Sequence, residues 1–256
     1  MPKIRLDDRL VELGLFSTRE KASAHILAGE VWLGQKRLDK PGMLIDRASA
    51  IELRSEKLPF SSRCGEKLNH ALTTFAVSAK DRVCFDIGAS TGGFTDCLLQ
   101  QGARAVLSVD VGKGQLDHKL RQDPKVTILD ETNARHLTSE LLRKKFPATD
   151  DATLVVMDVS FISLRKVIEP LHHQCPQLRD WILLFKPQFE VDKKFIAKGG
   201  IVRSEEAVQV ALRDFDAFMS RTGFTRTGGP EISPIVGKKS GNVEYLLHYV
   251  VQNINP

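Results

Sequence analysis

The sequence lacks any hydrophobic run long enough to cross a membrane. No stretch approaches the roughly 20 consecutive apolar residues that a membrane-spanning helix needs. The segment from Met1 to Asp7 also lacks the apolar core of a secretory signal peptide. Of the 256 residues, 42% are hydrophobic and 27% are charged, an ordinary balance for a globular protein in water. We therefore expect a cytoplasmic protein without a membrane partner.

Cysteine is scarce, and its spacing excludes two kinds of site. The four cysteines, at positions 64, 84, 97 and 175, are scattered, and no two form a C-x-x-C pair. Neither a zinc site nor a disulfide framework is indicated, so we expect no metal. The sequence also has no internal repeat or low-complexity tract. Its length suits one α/β domain with a small additional module.

Positive charge is present in a modest excess that does not by itself identify a partner. The net charge is +5, and residues 1–67 contain 13 basic against 10 acidic side chains. This segment predicts two short helices followed by strands, and we favour RNA binding for it. A small capping subdomain with an ordinary charged surface is the alternative. The candidates for phosphate contact are Arg5, Arg9, Arg19, Lys21, Lys36 and Arg37.

Beyond residue 67, short apolar runs alternate regularly with helical segments. This alternation predicts an α/β domain with a doubly wound, Rossmann-like sheet of about seven mainly parallel strands. We place a small α+β domain at residues 1–58, a linker at 59–66 and the α/β domain at 67–256. In such sheets, ligands bind at the carboxyl ends of the strands, near the point where the strand order reverses. The six predicted strands lie at 82–86, 105–109, 126–129, 152–157, 181–185 and 243–250.

A glycine-rich turn follows the first of these strands. Its spacing is not the G-x-G-x-x-G of dinucleotide enzymes, since Ser90 replaces their second glycine, and this disfavours an NAD-dependent oxidoreductase. Asp86 at the strand end suits a cationic ligand, and the ammonium and sulfonium of S-adenosylmethionine match that charge. Glycines let the backbone approach a ligand, and the helix start offers free N–H groups. The predicted cofactor-binding residues here are Asp86, Gly88, Ala89, Ser90, Gly92, Gly93, Phe94 and Thr95.

Polar residues end the following strands as well. Asp110 ends the second strand, where an acid accepts hydrogen bonds from ribose hydroxyls. Asp130 and Asn133 follow the third strand, within reach of an adenine edge, although a loop turn or a helix cap explains them almost as well. Asp158 and Lys186 end the fourth and fifth strands, and Asp158 is a further predicted cofactor-binding residue. We favour a functional role for these opposite charges over a simple ion pair that seals the sheet.

Three phenylalanines border these loops. Phe94, Phe161 and Phe189 are placed to stack on a base or on the adenine of a cofactor. Core packing is the commoner fate of phenylalanine, and we expect it for each of them.

With these motifs in this order, the chain resembles the TlyA family of ribosomal-RNA 2′-O-methyltransferases, historically labelled hemolysins. The resemblance implies an S-four-type RNA-binding domain, an FtsJ-like methyltransferase domain, S-adenosylmethionine as cofactor and ribosomal RNA or ribosomal subunits as partner. It further implies 2′-O-methylation of a cytidine, and the short termini favour large-subunit 23S RNA over a wider range that includes 16S RNA. The matching segments are 5–31, 86–95, 132–135, 158–164, 186–190, 198–203 and 241–244.

The resemblance also implies a catalytic tetrad, here Lys67, Asp158, Lys186 and Glu244, with Arg63 among the RNA-binding residues. Cys64 departs from the family pattern, because a glycine is expected there. If that position required a positive φ, Cys64 would strain the segment that carries Lys67. A non-catalytic ribosome-assembly factor and, much less favoured, a cytolysin are the alternative functions.

Overall fold

The computed structural model describes residues 3–16, 18–27, 29–53, 59–235 and 241–252. Contacts divide the chain into two units, residues 1–58 and 59–256. No helix among these described residues is long and apolar enough to cross a membrane.

The first unit is a small α+β fold. Strand β4 pairs with β1, and β2 lies between β3 and β5. Residues Leu6 and Leu10, and Ala22 and Ile26, are four positions apart on their helices, so each pair lies on one face and is buried. The elements are β1 (Lys3–Arg5), α1 (Leu6–Glu12), α2 (Arg19–Leu27), β2 (Val31–Leu33), β3 (Lys36–Arg37), β4 (Leu44–Asp46) and β5 (Glu52–Leu53).

The second unit is a seven-stranded sheet with helices on both faces. Its strand order is β13-β14-β10-β9-β6-β7-β8, and the neighbouring strands from β10 to β8 are parallel. The elements are α3 (Cys64–Thr74), β6 (Val83–Ile87), α4 (Gly93–Gln100), β7 (Ala105–Val109), α5 (His118–Arg121), β8 (Val126–Leu129), α6 (Ser139–Lys145), β9 (Ala152–Met157), α7 (Arg165–Gln174), β10 (Asp180–Phe185), α8 (Pro187–Glu190), β11 (Ile196–Ala197), β12 (Ile201–Val202), α9 (Glu205–Arg221), β13 (Phe224–Ile232) and β14 (Tyr245–Val251). The predicted fold class, a mainly parallel Rossmann-like sheet, is confirmed.

Two features of this unit differ from the sequence-based expectations. The sequence does not predict strand β13, because its Gly228-Gly229-Pro230 core and polar flanks give no apolar run. The expected linker at residues 59–66 belongs instead to the second unit. Phe60 is buried in one apolar cluster with Leu68, and the Ser61 N–H donates to Asp96 Oδ2 at 2.6 Å.

The sheet brings the charged strand ends to one edge. Strand β6 lies between β7 and β9, so the strand order reverses there. Gly88, Asp110, Asp158 and Lys186 follow β6, β7, β9 and β10 directly, at the carboxyl ends of parallel strands. Strand β14 runs antiparallel, with Tyr245 opposite Phe185, so the residue before β14 reaches the same edge.

Candidate active site

A cavity of about 440 Å³ opens at this edge, beside the point where the strand order reverses. We call it the cofactor cavity. Its lining combines apolar residues of the strand ends with a few polar groups, the usual character of a small-molecule site. Five of the predicted cofactor-binding residues line it: Gly88, Ser90, Asp110, Asn133 and Asp158.

Gly88 is required by the close approach of two strand ends. A Cβ at this position would lie 2.4 Å from the backbone oxygen of Asp158, and the φ of Gly88 is +86°. The Asp158 N–H donates to the Ile87 carbonyl at 2.9 Å, which holds the two strand ends together. Only glycine fits this position without displacing the backbone of Asp158.

Asp110 is fixed in the wall of the cofactor cavity by backbone donors. Its Oδ2 accepts from the Ser90 N–H at 2.8 Å, and its Oδ1 accepts from the Gly112 N–H at 2.7 Å. Each carboxylate oxygen has a second lone pair, so Asp110 can still accept from a ribose hydroxyl. Asn133 lines the same cavity, but its Oδ1 accepts from the Arg135 N–H at 3.1 Å as the cap of a 3₁₀ turn.

Asp130, which we expect to reach an adenine edge, is not among the residues that line the cofactor cavity. Its Oδ2 accepts from the Gly114 N–H at 2.9 Å and pairs with Arg121 at 2.5 Å. Burial acts to raise the pKa of Asp130, but Gly114 and Arg121 outweigh it and lower the pKa. These contacts fit the alternative given for Asp130, a residue that stabilises its loop.

Most other residues of the glycine-rich turn are buried and do not line the cofactor cavity. Phe94 is buried in an apolar cluster of the core, as expected, and Ala89 packs with Leu116 and Leu120. The structure therefore assigns internal packing rather than a place in the lining to six residues predicted to bind the cofactor. They are Asp86, Ala89, Gly92, Gly93, Phe94 and Thr95.

Gly92 and Gly93 make room for neighbouring elements instead. A Cβ on Gly92 would lie 2.3 Å from the side chain of Leu120. A Cβ on Gly93 would lie 2.9 Å from the backbone nitrogen of Gly65 and 3.1 Å from the Cβ of Cys64. Gly93 therefore lets the start of α3, the helix that carries Lys67, pack closely on α4.

Asp86 is fully buried and bonded to polar neighbours in the sheet. Its Oδ2 accepts from the Thr95 hydroxyl at 2.6 Å, and that hydroxyl also lies 2.7 Å from Ser108 Oγ. Its Oδ1 is buried without a hydrogen-bond partner among the described residues. Burial raises the pKa of Asp86 from its ordinary 3.8 to about 7, against the opposing hydrogen bond from Thr95.

We expect Asp86→Asn to stabilise the protein relative to wild type as the pH rises. Between the ordinary pKa of 3.8 and about 7, the folded state holds a proton that the unfolded state loses, so wild-type stability falls. The difference in unfolding free energy between the variant and the wild type should change by up to about 1.4 kcal/mol per pH unit and level off above pH 7. Urea unfolding from pH 5 to 8 measures it, with exposed Asp214→Asn as the control. A difference that stays constant across this range would contradict the buried acid.

The four tetrad residues form two buried ion pairs at the same edge of the sheet. Lys67 Nζ lies 2.5 Å from Glu244 Oε2, and Lys186 Nζ lies 2.5 Å from Asp158 Oδ1. The four side chains are between 6% and 13% exposed. Of the four, Asp158 also lines the cofactor cavity.

The two ion pairs are electrostatically coupled. Burial acts to lower the pKa of Lys67, but the charges of Asp158 and Glu244 outweigh it and raise the pKa. Lys67 therefore remains an ammonium at neutral pH. Burial raises the pKa of the Cys64 thiol, and Asp158 raises it further while Lys67 opposes the shift, so the thiol lies in the field of the tetrad.

Cys64 does not strain the backbone. It is the first residue of α3, and it is not among the residues of positive φ. The conditional expectation of strain at Lys67 is therefore not met. The position needs no glycine, because the helix starts there.

The sequence analysis did not single out Ser160 and Glu190, which fix Lys186 and the loop after β9. Lys186 Nζ donates to Ser160 Oγ at 2.8 Å. Glu190 accepts from the Leu164 N–H and from the Ser163 hydroxyl, both at 2.7 Å, and so ties the loop after β9 to α8. The polar spacing of Asp158, Ser160 and Ser163 after a buried strand was the available signal.

The same loop exposes an aromatic ring. Phe161 is 92% exposed, lines the cofactor cavity and has a φ of +66°, a rare conformation for a bulky residue. Its ring centroid lies 5.4 Å from that of the half-buried Phe189. The expectation of core packing is wrong for Phe161, which has a positive φ in a loop that Glu190 fixes through Ser163 and Leu164.

The candidate RNA-binding residues of the first unit divide into two groups. Arg5 and Arg19 pair with the buried Asp7 at 2.7 and 3.3 Å, and Arg9 pairs with Glu12 at 3.0 Å. The side chains of Lys21, Lys36 and Arg37 are exposed, as is that of Arg63 at the start of α3 in the second unit. Among the described residues these four have no ion-pair partner.

Comparisons with known proteins agree with this arrangement. Residues 60–250 match the model of the FtsJ-like methyltransferases, and residues 4–51 match the S4 domain. The chain is 44% identical to YqxC of Bacillus subtilis, named as an rRNA methyltransferase, over 96% of this chain and 85% of that one. It is 39% identical to the 16S/23S rRNA (cytidine-2′-O)-methyltransferase TlyA of Mycobacterium tuberculosis, over 96% and 89%. Hemolysin A of Brachyspira hyodysenteriae is 37% identical, over 97% and 100%.

A solved structure shows the same architecture. A protein from Streptococcus thermophilus, named as a hemolysin, has a TM-score of 0.73 and 39% identity, over 99% of this chain and 90% of that one. The family matches cover both units, and the relatives named as rRNA methyltransferases and as hemolysins align along nearly the whole chain. The chain belongs to the FtsJ-like methyltransferases, in the TlyA family that joins an S4 domain to this enzyme fold.

Proposed function

We propose that this protein transfers a methyl group from S-adenosylmethionine to the 2′-hydroxyl of a cytidine in ribosomal RNA. The observation that carries the proposal is the chain of alternating charges from Glu244 through Lys67 and Asp158 to Lys186, beside the cofactor cavity. The named activity of the M. tuberculosis relative and that of the Campylobacter jejuni relative, a 23S rRNA (cytidine-2′-O)-methyltransferase, support it. The first relative names 16S and 23S RNA and the second 23S RNA alone, so we favour 23S RNA.

The residues of the cofactor cavity fit S-adenosylmethionine. Asp110 offers carboxylate oxygens suited to ribose hydroxyls, and Asp158 offers negative charge suited to an ammonium or sulfonium. Gly88 gives close access to the backbone where β6 and β9 meet. When bound, this cofactor supplies an electrophilic methyl group.

The tetrad lowers the cost of ionising a sugar hydroxyl. A ribose 2′-hydroxyl is a weak acid, and fixed ammonium groups stabilise the alkoxide that develops as its proton leaves. We assign Lys186 to the position nearest the hydroxyl, where its amine takes the hydroxyl proton and becomes the ammonium that Asp158 and Ser160 hold in place. Lys67 stays charged between Asp158 and Glu244 and adds positive potential without taking the proton.

The exposed ring of Phe161 supports an unstacked nucleoside as the second substrate. Sequence-specific RNA recognition commonly stacks a splayed-out base on an aromatic side chain. We assign this role to Phe161, because its ring lines the mouth of the cofactor cavity and faces solvent.

The direct test is a comparison of cells with and without the gene. We expect one or more cytidine 2′-O-methyl groups in ribosomal RNA to disappear in the deletion strain and to return with the wild-type gene. Purified protein should restore them in vitro on ribosomal subunits from the deletion strain, with labelled S-adenosylmethionine. Transfer to no RNA from that strain would contradict the proposal and favour a non-catalytic assembly factor. A gene carrying Lys186→Ala serves as the catalytic control.

The S4 unit should supply salt-dependent affinity for RNA. Deleting residues 1–58 should raise the dissociation constant for ribosomal RNA and flatten its salt dependence by about 0.7 to 0.9 for each phosphate that the protein no longer neutralises. Cofactor affinity should not change, because the described residues that line the cofactor cavity all belong to the second unit. Filter binding over a salt series measures the slope.

Charge reversal provides a matched control for this deletion. Lys21→Glu with Lys36→Glu should reproduce part of the loss, whereas Lys144→Glu on α6 should not. An unchanged salt slope after deletion would show that this unit is not an RNA clamp.

A further inference from the structure

A second cavity, of about 350 Å³, lies beside the segments that carry Lys186 and Glu244. Its walls include Pro187, which follows Lys186, and Val243, which precedes Glu244. The described residues that line this second cavity and the cofactor cavity have no member in common. The tetrad segments therefore border a second cavity that is distinct from the cofactor cavity.

The walls of the second cavity are largely apolar and partly open to solvent. Ile232 is 60% exposed and Val243 is 42% exposed, and the ring of Tyr245 lies beside them. An aromatic ring with branched aliphatic side chains forms a surface on which a flat nucleobase packs. A cavity of this size and character fits a planar aromatic ligand.

The lining of the second cavity includes one cationic and one anionic side chain, Arg203 and Glu205. The guanidinium of Arg203 is exposed and has no ion-pair or hydrogen-bond partner within the described part of the chain. Lys193 and Lys198, on the segment that leads to Arg203, are also exposed. Paired with an apolar cavity, these cations suit a ligand that joins a base to a phosphate, as a nucleotide of RNA does.

The rim of the second cavity is held rigidly to the tetrad. Asn242 is 4% exposed, its Oδ1 accepts from the Val202 N–H at 2.9 Å, and its Nδ2 donates to the Gly200 carbonyl at 2.8 Å. This buried amide ties the β11–β12 hairpin, and Arg203 directly after it, to the segment that carries Glu244. A ligand in the second cavity is therefore fixed relative to the catalytic charges.

We infer that the second cavity binds the base of a nucleotide next to the methylated one in the RNA, with Arg203 on its phosphate. This inference rests on the proposed function and adds to it a subsite for RNA sequence or shape. The methylated nucleotide itself faces Phe161 and the cofactor cavity. Its neighbour along the strand lies beside the segments that carry Lys186 and Glu244, where Ile232, Val243 and Tyr245 receive the base.

The kinetic test uses two variants with matched controls. Arg203→Gln and Ile232→Glu should lower kcat/KM for ribosomal subunits from the deletion strain by about tenfold or more, since stacking of one base contributes about 5- to 150-fold. Cofactor affinity by calorimetry and the melting temperature should stay at wild-type values. Arg213→Gln and Val210→Glu, on exposed positions of α9, should leave kcat/KM within about twofold. Wild-type kcat/KM in both cavity variants would overturn the subsite.

A crosslink identifies the occupant. Ile232 replaced by p-benzoylphenylalanine should crosslink to the nucleotide immediately 5′ or 3′ of the methylated position, mapped by primer extension. A crosslink to the methylated nucleotide, or to remote RNA, would overturn the assignment while leaving methyl transfer intact. Failure of the wild-type protein to methylate any RNA would instead remove the proposed function, and this inference with it.

Discussion

Lys186→Ala is expected to lower the rate of methyl transfer by about 10²–10⁴-fold, the usual contribution of a general acid–base group. The substitution removes the ammonium that contacts Asp158 at 2.5 Å and Ser160 at 2.8 Å. It leaves the described lining of the cofactor cavity unchanged, because Lys186 is not one of the residues that line it. The loss should therefore appear in kcat and not in the affinity for S-adenosylmethionine.

The charge of Asp158 also predicts how Lys186→Ala affects cofactor affinity. Without Lys186, the carboxylate of Asp158 is no longer neutralised, so the cavity wall becomes more negative. A cationic cofactor should then bind with equal or higher affinity, measurable by calorimetry. Lys186→Arg should also be slow, because a planar guanidinium does not reproduce the position or acidity of an ammonium.

The control for both variants is Lys166→Ala, which removes an exposed lysine of α7 and should leave kcat unchanged. Retained turnover in Lys186→Ala would remove Lys186 from the mechanism. Loss of cofactor binding together with turnover would instead indicate a damaged site.

Gly88→Ala is expected to lower kcat/KM by about 100-fold, as a misplacement of about 1 Å in a catalytic site does. The added Cβ would lie 2.4 Å from the backbone oxygen of Asp158 at a φ of +86°. A backbone atom cannot swing away as a side chain does, so Asp158 must move. That shift displaces a wall of the cofactor cavity and the partner of Lys186 together.

Gly223→Ala separates the effect of backbone strain from the effect of the contact with Asp158. Gly223 has a nearly equal φ of +87°, but no atom of the described residues lies within 4 Å of an added Cβ. Backbone strain in Gly223→Ala should therefore destabilise the protein by about 1 to 2 kcal/mol without loss of activity. Cofactor affinity, kcat and melting temperature should be measured for both variants. Equal losses in both would show that strain, and not the contact with Asp158, explains the effect.

The local sequence pattern predicted most of the fold. Short apolar runs between helical segments predicted six strands of the seven-stranded sheet, within one or two residues of their observed bounds. The seventh, β13, has no such run, since Gly228, Gly229 and Pro230 interrupt it. It pairs with β14 at the edge of the sheet, and this tertiary contact decides its conformation.

The candidate site was predictable where residues end parallel strands. Asp110, Asp158 and Lys186 were placed together from sequence because the carboxyl ends of parallel strands meet at one edge. The glycine-rich turn contributes fewer residues to the lining of the cofactor cavity than its composition indicated. Gly88 lines the cofactor cavity, whereas Gly93 serves the packing of α3 on α4.

By itself, the sequence determined the alternation of strands and helices, and with it the side of the sheet on which the strand-end charges lie. Hydrophobic periodicity is a local property, so it can be read one segment at a time. Only the tertiary structure decided that Lys67 pairs with Glu244, 177 positions away, and that Phe161 points to solvent while Asp86 is buried. These outcomes depend on how segments that are distant in the sequence pack against one another, and no local pattern contains that information.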